Sequence, residues 1–277
     1  MPTPLEVFFQ NLDGELEKAI QHFWISRQKA IDKKKKAGSV DTGSRGAVTA
    51  GDNMRELELL ILRALKLVGL PDVKIVIGKS EDSSSTGKLE IPGYFRPEKK
   101  WDILILSSGQ LIAALELKSQ VGPSFGNNAN NRTEEALGSA ADFWTAYREK
   151  RFGSGPKPFL GYIFLLEECP EVHKPVKYKK PHFAVDPIFV KGNKGSSYAH
   201  RYEVLCERLV LENLYSAACL IRATKVSPTV LSHPADTNLT FRWLLAALVK
   251  HAETMVLAQG IQPKLEEQGG QMKLTLA

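Results

Sequence analysis

Two continuous apolar runs flanking a four-residue turn constrain this chain more than any other feature. Trp101 to Lys118 reads WDILILSSGQLIAALELK, and its only charged side chains are Asp102, Glu116 and Lys118. Ile103–Leu106 and Leu111–Leu115 have the length and continuity of strands covered on both faces, with Ser107-Ser108-Gly109-Gln110 between them as a turn. Acids and a lysine in such a setting need partners, because an unpaired buried charge costs several kcal/mol or neutralises itself. A divalent cation and a phosphate are partners of the right chemistry.

The 277 residues and 43% hydrophobic content supply a sizeable core, and the expectation is a single domain over 1–277. A net charge of +6 and a pI near 9.1 point to a polyanionic partner. No apolar run approaches the ~20 residues that span a bilayer, and MPTPLEVFFQ lacks the basic start and apolar core of a signal peptide, so no membrane partner and a cytoplasmic location are expected. Cys169, Cys206 and Cys219 are odd in number and widely spaced, as small buried hydrophobes would be.

Along the chain, Leu16, Ile20, Phe23, Trp24, the stem of Arg27 and Ile31 recur at helical spacing, predicting an N-terminal helix over 13–37 with Asp13 at its start and Lys33 to Lys36 at its end. Residues 37–51, rich in Gly, Ser and Thr, read as a loop positioned to close on a substrate. A helix from about Asp52 to Val68 carries Leu57, Leu60, Ile61, Ala64 and Leu65 on one face; Glu58 lies nearer that face than Glu56. Asp72 to Gly78 reads as a strand. After Lys118, the polar stretch Ser119 to Asn131 reads as a loop before a helix from about Arg132 to Arg151, capped by Asn131 and Glu134 and burying Leu137, Ala140, Ala141, Trp144 and Tyr147. Pro158 to Leu166 is a buried strand and His182 to Val190 a further one. Tyr198–Arg222 and Asn238–Leu257 read as two long helices in a C-terminal helical part spanning 198–258, followed by a patternless tail over 259–277. This order is an α/β pattern, a central mixed sheet flanked by helices with additional N- and C-terminal helices, its core at 52–190.

Glu116 and Lys118, two apart on a strand, emerge on one face. A three-residue loop would place Asp102 directly across from Glu116, whereas a two- or four-residue turn would put them on opposite faces unless a bulge intervened. Facing carboxylates suit Mg2+, which favours oxygen ligands and binds through one or two carboxylates plus substrate phosphate, with Mn2+ able to substitute. Lys118 beside them is placed to orient or deprotonate a water and offset developing charge. Asn127, Asn128, Asn130, Asn131 and Arg132 have side chains that hydrogen-bond adenine or guanine edges, and Lys177, Lys179 and Lys180 form a basic cluster suited to phosphates.

WD, a short turn and ELK resemble the PD-(D/E)xK nuclease motif, with Trp101 in place of the usual proline. In that superfamily a glutamate on the preceding helix often joins the metal site, and Leu57-Glu58 through Gly69 matches its setting. The longer run ELKSQVGPSFGNNANNRTEEALGSAADFWTAYREKRFG resembles the XhoI-type family of type II restriction endonucleases, and the fit extends from about Gly51 to Val190. The resemblance implies a restriction-endonuclease-like fold and Mg-dependent double-strand cleavage of DNA at a palindrome, CTCGAG, by a homodimer, with a cognate DNA methyltransferase protecting host DNA. It also implies Asp102, Glu116 and Glu58 as metal ligands and Lys118 as a catalytic residue. A structure-selective repair nuclease would use the same residues and read DNA shape. A non-catalytic DNA-binding module would keep the fold and the basic surface without needing all three of Asp102, Glu116 and Lys118.

Overall fold

The computed structural model describes residues 1–36, 54–70, 73–77, 89–123, 125–177, 181–226, 228–234, 238–258, 265–268 and 271–274; the expected loop at 37–51 lies outside them. Helix α1 (Pro4–Gln10) opens the chain with a Thr3/Glu6 capping box, and α2 (Leu12–Lys36) and α3 (Arg55–Lys66) follow. The α2 helix begins one residue before Asp13, whose carboxylate instead pairs with Arg242 at 3.0 Å.

Six strands form the central sheet in the order β1 (Val73–Ile77), β4 (Ile103–Ser107), β5 (Gln110–Gln120), β6 (Phe159–Glu167), β9 (Ala217–Ala223) and β10 (Leu231–Ser232). β5/β6 and β6/β9 are parallel and the other pairs antiparallel, so the sheet is mixed as expected. The connection from β5 to β6 runs through α4 (Phe125–Arg148), and that from β6 to β9 through α6 (Tyr198–Leu211) after the short α5 (Pro170–His173). Both crossovers progress in the same direction across the sheet, so crossovers of one hand lay α4 and α6 on the same face. The other face is covered by α2, α3 and α7 (Phe241–Ala258), whose Leu16-to-Trp24, Leu57-to-Leu65 and Phe241-to-Val249 stripes are buried there with Ile103, Ile105 and Leu115. Three two-stranded ribbons complete the described residues: β2 (Glu90–Pro92) with β3 (Glu98–Lys100), β7 (Val190–Lys191) with β8 (Lys194–Gly195), and β11 (Leu265–Gln268) with β12 (Gln271–Leu274).

Four expectations change. The helix expected over Tyr198–Arg222 stops at Leu211; Asn213 then takes a positive φ of 55°, and Ala217–Ala223 is a strand buried between β6 and β10. Ala217–Ile221 is apolar throughout, and so short an apolar run carries no period that separates helix from strand. The 198–258 part is therefore not all helical and completes the main sheet. The α4 helix starts at Phe125, not Arg132, because Phe125 and Ala129 bury on the same stripe as Ala136, Ala140 and Phe143, and that packing outweighs the turn preference of asparagine. Its buried face is correspondingly rotated: Leu137 is 43% exposed and Ala141 exposed, while Phe143 and Ala146 are buried. His182–Val190 holds a 3-10 turn at Pro187–Phe189 and only the start of β7, and the C-terminal tail contains the β11/β12 hairpin. Among the described residues no helix is long and apolar enough to cross a membrane.

Candidate active site

The β4/β5 hairpin settles the register by a route that combines two of the possibilities. Ser107 pairs with Gln110, leaving Ser108-Gly109 as a two-residue turn, and both have positive φ, 48° and 77°, as the favoured tight hairpin turns require. A regular hairpin closed this way would put Asp102 and Glu116 on opposite faces. Between Ile105 and Leu106 the register shifts: Leu106 pairs with Leu111 but Ile105 with Ala113, so Ile112 is an extra residue. Ile112 and Ala113 accordingly both join the core under α2, α3 and α7, while Leu111 and Ala114 join the other. Continuing beyond Ile103↔Leu115 brings Asp102 opposite Glu116. The Asp102 Oδ2 accepts the Leu117 amide at 2.7 Å, and the Asp102 amide donates to the Leu115 carbonyl at 3.3 Å, fastening that end of the hairpin.

Glu116 is 2% exposed, yet its charge is well compensated. Its Oε1 lies 2.7 Å from Lys118 Nζ and 3.3 Å from Lys99 Nζ, and the Tyr215 hydroxyl sits 3.4 Å from Oε2 while donating to the Ala136 carbonyl at 3.2 Å. Burial alone would raise the Glu116 carboxyl, but the charges of Lys118 and Lys99 outweigh it and hold it below the usual glutamate range. Asp102 behaves oppositely: burial dominates and raises its carboxyl, against the pull of Lys118 and the Leu117 amide. Burial raises the Tyr215 hydroxyl well above the usual tyrosine range, reinforced by the Glu116 charge, so it stays a neutral donor.

Lys99 is the participant that sequence reasoning missed. It arrives from β3 of the β2/β3 hairpin, and its ammonium lies 4.4 Å over the Trp101 ring, which is 2% exposed and packs edge-on against Phe143. Trp101, at the motif's proline position, is thus a platform for a lysine that reaches Glu116. The signal was present in Lys99-Lys100 immediately before Trp101-Asp102, but only tertiary pairing of β2 with β3 shows which lysine turns inward.

An open cleft above this group is lined by Glu116, Lys118, Lys99, Arg96 and Arg132. Arg132 lies in the cleft with its guanidinium on Glu135 at 2.6 Å, whereas Asn130 lines a neighbouring groove between α4 and α6. Asn128 is half-buried and Asn130 and Asn131 exposed on α4; Asn127 falls on the same helix, but its side chain is outside the described residues. Lys177 is exposed, and Lys179 and Lys180 lie outside the described residues. Glu58 is 5% exposed and Glu56 half-buried, as the helical angle predicted. Glu58's neighbours Leu57, Leu60 and Ile61 pack on the face opposite Trp101 and Tyr215, and among the described residues no group of three or more His, Cys, Asp or Glu is arranged to hold a metal ion.

The donor set nonetheless fits a hard divalent cation. Two carboxylates face one another across adjacent strands, one of them a half-buried acid whose ionisation an added positive charge would favour, and one or two carboxylates plus substrate oxygens are what Mg2+ ordinarily takes from a protein. Tyr215→Phe is expected to slow turnover about 10-fold, the scale typical when a group orienting a ligand is lost; titrating turnover against Mg2+ checks it, and an unchanged curve would remove Tyr215 from the site.

A family model described as restriction endonuclease XhoI matches residues 33–232. The chain is 43% identical over 227 residues to the type II restriction enzyme BstVI of Geobacillus stearothermophilus, a match covering 79% of this chain and 96% of that one. It is 42% identical over 195 residues to the type II restriction enzyme XhoI of Xanthomonas vasicola, covering 70% and 73% of the two chains, and 43% identical over 171 residues to the type II restriction enzyme AbrI of Azospirillum brasilense, covering 62% and 73%. No solved structure matches. The chain belongs to the XhoI family of restriction endonucleases.

Proposed function

We propose that this chain, as a single endonuclease domain over 1–277, cuts both strands of DNA by Mg-dependent phosphodiester hydrolysis at a short palindrome, CTCGAG or a close relative. The observation that carries the reading is the meeting of Asp102, Glu116 and Lys118 at one end of the β4/β5 hairpin, beside a cleft that also presents Arg96, Lys99 and Arg132. Asp102 and Glu116 would hold the cation, with Mn2+ able to replace it. When bound, Mg2+ supplies positive charge that polarises the scissile phosphate and makes a water more acidic.

Lys118, ion-paired with Glu116 as an ammonium, orients the attacking water and offsets charge on the phosphate oxygens as the water oxygen bonds to phosphorus and the P–O ester bond breaks; the water's proton passes to solvent, and the leaving oxygen takes one from solvent. Lys99 shares the neutralisation of Glu116, and Tyr215 holds that carboxylate in place. Arg132 and Asn127, Asn128, Asn130 and Asn131 on α4 are proposed to contact bases, and Lys177, Lys179 and Lys180 phosphates. A two-fold site calls for a homodimer, working in the cytoplasm beside a cognate DNA methyltransferase.

The motif's setting adds Glu58 as a further acid. Glu58→Ala is expected to slow cleavage more than Glu56→Ala because Glu58 is held in the core and Glu56 is not; the reverse order in initial-rate measurements would remove Glu58 from the proposal. The function itself is tested on unmethylated plasmid and genomic DNA with Mg2+. A defined fragment ladder that disappears with EDTA is expected, whereas smears or nicks would indicate a structure-selective nuclease, and no cutting with Mg2+ or Mn2+ would overturn the reading.

A further inference from the structure

The tip of the β2/β3 hairpin places two aromatic side chains in solvent at the rim of the cleft. Tyr94 is 45% and Phe95 73% exposed, their rings meeting edge to face at 4.9 Å. The tip is braced from below. Asp142 on α4, a buried carboxylate, accepts the Tyr94 and Phe95 amides at 2.8 Å each and the Arg96 Nε at 2.7 Å. The Gly93 amide closes the loop onto the Pro97 carbonyl at 3.3 Å. The turn is so tight that a Cβ on Gly93 would stand 2.6 Å from the Arg96 carbonyl oxygen and 2.7 Å from Asp142 Oδ2. A buried carboxylate committed to two backbone amides fixes where the exposed rings stand.

Position and charge indicate what the rings meet. Phe95 itself lines the catalytic cleft with Arg96 and Lys99, and Arg151 borders the other side of the loop. Four residues beyond Phe95, Lys99 contacts Glu116, so the tip and the reacting group belong to one short, hydrogen-bonded ribbon. Aromatic surface held by a hydrogen-bonded loop and flanked by Arg96, Lys99 and Arg151, beside the cleft proposed above to take the scissile phosphate, matches the faces and backbone of nucleic-acid bases.

We propose that Phe95, presented by the Asp142-braced loop, is a DNA-contacting wedge that stacks on or enters a base step beside the scissile phosphate. The inference rests on the DNA-cleaving reading above and specifies how that substrate is seated. Phe95 is fully outside the core, so its replacement leaves the fold intact.

The test uses the full chain carrying Lys118→Ala, to stop turnover, with and without Phe95→Ala or Phe95→Trp. Binding is measured in Mg2+ to a duplex bearing the cleaved sequence and 2-aminopurine at the steps flanking the cut, with oligomeric mass recorded in parallel. Phe95→Ala is expected to weaken binding about 10-fold and abolish the rise in 2-aminopurine emission, while Phe95→Trp retains both. Unchanged affinity and emission in Phe95→Ala, or a loss of dimer mass with the DNA signals intact, would overturn the proposal. Phe95→Ala in the otherwise wild-type chain cutting DNA as fast as wild type defeats the wedge alone; Phe95-dependent binding with no cleavage by the chain that keeps Lys118 defeats the cleavage reading alone; no DNA binding defeats both.

Discussion

Lys118→Ala is expected to lower DNA cleavage by roughly 10³-fold or more while leaving DNA binding largely intact, the scale seen when a group acting mainly in the transition state is removed. The structure explains why the fold should survive: Glu116 keeps Lys99 at 3.3 Å and the Tyr215 hydroxyl, so its buried carboxylate is not abandoned. Glu116→Ala is expected to abolish cleavage as well, but it removes the shared partner of two lysines whose side chains are only 13% and 22% exposed. Glu116→Gln keeps the shape and isolates the chemical loss. Single-turnover cleavage alongside filter binding separates the two effects, and wild-type turnover in Lys118→Ala would refute the site.

The second large effect is expected at Asp102, where two substitutions should part company. Asp102→Asn retains an oxygen that can accept the Leu117 amide, so stability should hold while cleavage falls by about 10²-fold or more for want of the anionic ligand. Asp102→Ala loses that acceptor too, leaving the Leu117 N–H at the open end of the hairpin unpaired, which costs about 1–3 kcal/mol. Thermal unfolding together with cleavage rates distinguishes them. Equal activity of wild type and Asp102→Asn would show that only the hydrogen bond to Leu117 matters.

Much of this arrangement was legible in the residues. The spacing of Glu116 and Lys118 alone predicts one strand face, and their observed ion pair follows directly from it. The position of Asp102 was not legible, because the bulge at Ile112 lies inside a uniformly apolar run where one more aliphatic residue leaves no mark on the pattern. Lys99 was hidden for a different reason: a lysine beside another lysine reads as a solvated pair until the β2/β3 ribbon turns it over Trp101. Phe125 and Ala129 show the limit of turn preferences, since asparagines that favour loops were carried into α4 by the apolar residues between them. At Ala217–Ala223 burial on both faces leaves Arg222 as the one charged residue, too little alternation to announce a strand.

Sequencing the DNA ends released from unmethylated genomic DNA by the wild-type chain and by Lys118→Ala, in Mg2+, tests the central claim most directly. The account predicts that wild-type ends share one short palindromic sequence with a fixed cut position in both strands, and that Lys118→Ala yields none above background. Ends without a common sequence, or the same ends from Lys118→Ala at the wild-type rate, would contradict it.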